Sequence, residues 1–176
     1  MRFIETRLSG AFIIEPETME DDRGFFARTY CSEVFKDHGL CSSIAQCSIS
    51  FNKSAGTLRG MHYQVPPKAE EKLVHCTMGA VYDVIIDLRP DSDTYCEWFS
   101  LELSSSNRLM LYAPKGFAHG FLTLEDSTEV CYQISEHHSP ANANGVRYDD
   151  PAFGIKWPLS VVTISDRDRE YLDFEG

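Results

Sequence analysis

A succession of short β-forming segments, each cut off by turn residues, constrains this fold most. Val81-Tyr-Asp-Val-Ile-Ile-Asp-Leu-Arg89 is rich in β-branched residues and ends at Pro90-Asp-Ser-Asp93. Cys96-Glu-Trp-Phe-Ser-Leu-Glu-Leu103 alternates, with Phe99, Leu101 and Leu103 on one face. Arg108-Leu-Met-Leu-Tyr-Ala113 stops at Pro114-Lys-Gly116, and Glu129-Val-Cys-Tyr-Gln-Ile134 alternates again. Segments of this kind, recurring every roughly 10 to 20 residues with turn signals between them, predict an all-β sandwich, barrel or jelly roll. Helix is limited to Ser32–His38, before Gly39, and a turn near Arg167–Tyr171. No repeat, linker or low-complexity stretch divides the 176 residues, which are expected to form one domain, 1–176.

Strand parity narrows where chemistry can sit, because successive side chains point to opposite faces. Phe117, His119, Phe121 and Thr123 share one face, and Val130, Tyr132 and Ile134 share another. His119 and Tyr132 therefore stand among apolar neighbours, on faces that would line a concave interior. Asp83 and Asp87 fall in the row of Val81 and Ile85, so each is at an edge or in a site. Arg59 poses a parity conflict. In an unbroken strand it would point away from His62, and Gly60 between them is expected to mark a bulge or bend.

The net charge is −11 with no Lys/Arg run, which argues against nucleic-acid or anionic-membrane partners. An anionic substrate would have to be held by individually placed cations. No apolar run approaches the roughly 18 to 20 residues that span a bilayer, and the first residues show no leader, so a cytoplasmic location is expected. The six cysteines, at 31, 41, 47, 76, 96 and 131, lack metal-binding spacing and read as free thiols.

Two motifs carry the chemistry. His62-Tyr-Gln64, followed by Glu70 or Glu71 and Gly79, and Pro114-Lys-Gly-Phe-Ala-His119 resemble the two halves of the cupin signature. Gln64 stands where a second histidine ligand is usual, and a carboxamide is a poor transition-metal ligand. A site of His62, Glu70 or Glu71 and His119 is the competing metal reading; the expectation is no metal and no cofactor.

Gly56-Thr-Leu-Arg-Gly-Met-His-Tyr-Gln64, Lys72-Leu-Val74, Asp83–Arg89, Pro114–Phe121 and Asp150-Pro…Trp157-Pro158 together resemble the dTDP-4-dehydrorhamnose 3,5-epimerase family. Asp22-Arg-Gly-Phe-Phe26 and Ile164-Ser-Asp-Arg-Asp168 extend the likeness from about Phe12 to Asp168. The resemblance implies a double-stranded β-helix, the cupin jelly roll, with a few short helices. It also implies a homodimer acting on a nucleotide-sugar substrate. The reaction would invert C3 and C5 of dTDP-4-keto-6-deoxy-D-glucose to give dTDP-4-keto-L-rhamnose.

The residue types fit that chemistry. Inverting a carbon beside a ketone needs a base on one face, an acid on the other and a cation for the enolate. The resemblance assigns these roles to His62, Tyr132 and Lys72, with Asp168 orienting His62. It places Gln64, Asp83 and His119 against substrate and Arg59 on the diphosphate, where a forked guanidinium suits phosphate oxygens. Arg23, a second diphosphate contact, and Phe26, flanking the nucleotide, would come from a partner subunit. Two positions depart from the pattern. His138 occupies a place where tyrosine is common, and Arg28 one where glutamate is common. The alternatives are a single-carbon epimerase on a related dTDP, CDP or GDP sugar, and a metal-dependent cupin enzyme.

Overall fold

A computed structural model describes all residues, 1–176. In chain order the elements are β1 (Arg2–Glu5), β2 (Phe12–Glu15), β3 (Thr18–Asp21), β4 (Gly24–Ala27), α1 (Ser32–Asp37), β5 (Gln46–Asn52), β6 (Leu58–Gln64), β7 (Lys72–Met78), β8 (Ala80–Asp87), β9 (Trp98–Ser104), β10 (Met110–Ala113), β11 (Phe117–Thr123), β12 (Thr128–Ile134), β13 (Ala143–Gly145) and α2 (Asp166–Arg169). One sheet runs β1-β2-β10-β7-β12-β5, the other β13-β6-β11-β8-β9, and β3-β4 form a separate hairpin. Every pairing between these strands is antiparallel. This is the expected cupin jelly roll. No helix is long and apolar enough to cross a membrane.

Three apolar layers explain the composition of the strands. Between the sheets lie Val74, Ile85, Leu111, Phe117, Phe121 and Val130. Met61, Val84, Ile86 and Ala118 face outward from the five-stranded sheet and are covered by Val146, Phe153 and Ile155 of the later chain. Ile14, Leu73, Met110 and Tyr112 face outward from the six-stranded sheet and are covered by Phe35 of α1. Hence Val84, Ile85 and Ile86 are all fully buried although consecutive; a strand covered on both faces reads as a continuous apolar run. Helix α1 has no side-chain N-cap and only six residues, so its packing holds it rather than its own propensity. Two sequence expectations shift at strand starts: Cys96 and Arg108 have φ +63° and +55°, in the left-handed region, and β9 and β10 begin two residues later.

The Arg59 conflict resolves at Gly60. His119 pairs with His62, and Phe121 pairs with Arg59, so two residues of β6, Gly60 and Met61, oppose the single Gly120 of β11. The extra residue turns Met61 into the outer layer and leaves both Arg59 and His62 facing inward. Gly60 sits at φ +140°, and a Cβ there would meet the Gly120 Cα at 2.5 Å. The two glycines are what allow the strands to approach at the bulge.

Asp87 ends β8 with a fully buried carboxylate that accepts from Arg89 N, Nε and Nη2, Ser92 Oγ and Thr94 Oγ1, all within 3.0 Å. Burial pushes its carboxyl up, but these donors outweigh it and hold it at about 2, against an ordinary 3.8. A depressed carboxylate stabilises the fold above its unfolded pKa and loses that contribution as pH falls through the folded value. Denaturation midpoints are therefore expected to fall between pH 4 and pH 2, with about 2 kcal/mol traceable to Asp87. Asp87→Asn should lose that amount at pH 7 and flatten the acid limb; an unchanged limb would refute the assignment.

Candidate active site

The sheets close where β9 comes against β7 and β10 and separate toward β5 and β6. A cavity of about 680 Å³ fills the open side, walled by β6, β11 and β13 on one sheet and β5, β7 and β12 on the other. Residues 163–168 line a further wall. That segment is tied to β6 by Leu58 N donating to Thr163 O at 2.8 Å.

His62 Nε2 lies 2.6 Å from Asp168 Oδ1. An ionised carboxylate only accepts, so Nε2 carries a proton, and in the neutral imidazole Nδ1 is the nitrogen that keeps its lone pair. Asp168 is buried, accepts from Gly60 N at 3.3 Å, and receives its place from α2, where Ser165 Oγ caps the Asp168 amide at 3.1 Å. Burial raises the Asp168 carboxyl, but the His62 hydrogen bond and charge, with the Gly60 and Ser165 contacts, bring it below the ordinary value. The pair is thus a carboxylate-oriented imidazole, with 38% of the His62 side chain exposed.

Tyr132 stands on the opposite sheet, in register with Val74 and Ser48, and lines the same cavity. Burial, and secondarily the Asp83 charge, push its phenol far above the ordinary 10, with the Arg59 charge opposing. It holds its proton at neutral pH. Its ring meets His119 edge-on at 5.9 Å. His119 Nε2 contacts Asp83 Oδ2 at 2.9 Å and Oδ1 at 3.1 Å, forming a second buried histidine–aspartate pair next to His62 on the strand ladder. Burial raises the Asp83 carboxyl, against the pull of His119 and Lys72.

Lys72, almost fully buried, donates to the His62 carbonyl at 3.1 Å and pairs with Glu70 at 2.9 Å. Glu70, a metal-ligand candidate in the sequence, is therefore a lysine partner here. Arg59, Arg167 and Lys72 line one cavity of a chain with net charge −11, so scattered cations of the sequence converge.

Some predicted residues are placed differently. Gln64 lines the cavity, but its amide is spent on backbone: Nε2 donates to Lys68 O and His137 O, and Oε1 accepts from Ser139 N. It shapes the loop presenting His138, whose own amide donates to Gln46 Oε1 at 2.6 Å. Arg23 and Phe26 lie on the β3–β4 hairpin outside this cavity, Arg23 against Asp21 and Phe26 62% exposed. Arg28 is also outside it. Sequence reasoning missed Asn52, Glu70 as lysine partner, Arg167 and Ser165. The Ser165-x-x-Asp168 spacing of a helix cap could have found the last.

Opposed sheets carrying a carboxylate-bound histidine on one wall and a protonated tyrosine on the other, with a buried lysine between, define a cupin-fold enzyme that moves protons. The sequence matches the dTDP-4-dehydrorhamnose 3,5-epimerase family over residues 5–176, and the chain belongs to that family. It is thus an epimerase, an isomerase. It is 44% identical to the dTDP-4-dehydrorhamnose 3,5-epimerase of Methanothermobacter thermautotrophicus, over 97% of this chain and 92% of that one. The Bacillus anthracis enzyme, solved with TDP and PPi bound, superposes with TM-score 0.95 at 42% identity, covering 98% of this chain and 99% of its own. The Legionella pneumophila enzyme, solved with dTDP-4-keto-L-rhamnose, gives TM-score 0.89 at 33% identity over 95% and 89%.

Proposed function

We propose that this enzyme inverts C3 and C5 of dTDP-4-keto-6-deoxy-D-glucose to give dTDP-4-keto-L-rhamnose, with His62 as base and Tyr132 as acid. The carrying observation is that His62, its Nε2 on Asp168 at 2.6 Å, and Tyr132 line one cavity from opposite sheets. The C4 ketone acidifies the hydrogens on C3 and C5. Nδ1 of His62 takes one, and the electron pair moves onto the ketone oxygen. Lys72 stabilises that enolate. Tyr132 returns a proton to the opposite face, and its burial makes the resulting phenolate basic enough to recover one. The proton on His62 passes to solvent, and the cycle repeats at the second carbon.

Arg59 grips the diphosphate, and Asp83, His119, Gln64 and His138 shape the sugar pocket. The family likeness and the outlying hairpin support a homodimer in which Arg23 and Phe26 reach a partner's cavity. Exposed Ile49, Phe51 and Met78, at 66%, 49% and 45%, offer that contact an apolar face. The reading sets the enzyme in the cytoplasm, a setting its six free thiols fit.

Solvent exchange tests the proposal. Incubation with dTDP-4-keto-6-deoxyglucose in D2O should place one deuterium at C3 and one at C5. No deuterium at either carbon of any 4-keto sugar nucleotide would sink it. Histidine at 138 favours a second reading, inversion of one carbon only, and deuterium at a single position would select it.

A further inference from the structure

Asn52 closes β5 with only 2% of its surface exposed, and all of its amide is committed. Nδ2 donates to Ser50 O and to Thr128 O, each at 3.2 Å, which fixes the side chain between β5 and β12. Oδ1 accepts from Arg59 Nε at 2.8 Å. Arg59 belongs to the other sheet, so this bond bridges the two sheets, from β5 to β6. An arginine held at Nε has its Nη groups free and its guanidinium plane set, the geometry in which a fork meets two oxygens of a phosphate. A long flexible side chain otherwise loses rotamer entropy on binding. Arg59 is the residue before the Gly60 bulge, so its backbone is fixed as well.

We propose that Asn52 is a positioning residue: it touches no substrate, but aims the Arg59 guanidinium at the diphosphate of the nucleotide sugar. The proposal rests on the reading of Arg59 as the diphosphate contact. Its signature is dependence on Arg59. A lysine at 59 keeps the charge and has no Nε donor for Asn52 to hold.

The experiment is a double-mutant cycle read by calorimetric titration of thymidine diphosphate, with KM and kcat of the epimerase alongside. Asn52→Ala is expected to weaken binding about tenfold, the scale of a lost hydrogen bond to a charged group, with the loss falling on KM more than on kcat. In an Arg59→Lys background the same change should cost less than about twofold. Equal losses in both backgrounds, or none in either, overturn the positioning role and mark Asn52 as structural. If Arg59→Lys and Arg59→Ala leave thymidine diphosphate binding intact, the diphosphate assignment of Arg59 fails instead. Should Asn52→Ala not fold, the Arg59 Nε–H signal, assigned by its loss in Arg59→Lys, decides. Slow exchange with solvent is expected, and exchange as fast as that of a free guanidinium overturns the proposal.

Discussion

His62→Asn is expected to lower kcat by roughly a thousand- to ten-thousand-fold, the upper range for loss of a general base. Asparagine is close in size and can still meet Asp168, so the wall of the cavity should survive. What disappears is Nδ1, whose lone pair is the proton acceptor once Nε2 is committed to the carboxylate at 2.6 Å. KM should move little, because the phosphate-facing cations are untouched. Two signals must fall together. Inversion, followed by conversion of the product, and deuterium uptake at C3 and C5 both require the carbon to lose its proton. If His62→Asn stops inversion but leaves exchange near the wild-type rate, another group is the base.

Tyr132→Phe should separate those two signals. The ring keeps its edge contact with His119, packed against the inner layer, so stability should change by less than a typical core truncation. Proton abstraction by His62 remains, and the enolate still forms over Lys72. Without the phenol, no donor on β12 returns a proton to the far face. The enolate then recovers its proton from the side of His62. Inversion should drop by roughly a hundred- to a thousandfold, while washout of a deuterium label from C3 or C5 of the substrate into water continues within about tenfold of wild type. Equal losses of both would mean that Tyr132 shapes the pocket and is not the acid.

Much of this arrangement was legible in the chain. Alternation placed Phe117, His119 and Phe121 on one inward face, and the structure keeps that parity, with Asp83 against His119. The clash between Arg59 and His62 in an unbroken strand pointed to an irregularity at Gly60, and the register shift lies there. Less visible were contacts set by tertiary approach alone. Asn52 sits at the end of a polar row, Gln46, Ser48, Ser50 and Asn52, and nothing local tells that its oxygen faces Arg59 across the sandwich. The Glu70–Lys72 pair likewise depends on how the chain enters β7. The outer layer from Val146 to Trp157 has no strand periodicity to betray it, because its residues cover a sheet without joining one. Cys96 and Arg108 read as strand openings by composition, yet their left-handed backbone belongs to the preceding turns.

The carboxylate that holds His62 is 106 residues away from it in sequence and arrives on the four-residue helix α2. Neither sheet supplies that carboxylate. The sandwich can be complete, with His62, Lys72 and Tyr132 in place, and still hold an imidazole free to rotate and to choose either tautomer. On the proposed mechanism, arming the base depends on seating this segment at the rim of the barrel through a few contacts such as Leu58 with Thr163 and Ser165 with Asp168. On that mechanism turnover is expected to depend on the seating of this strap more than melting of the sheets does. Such a scaffold lets reactivity be tuned through one peripheral segment while the core that carries the fold stays unchanged.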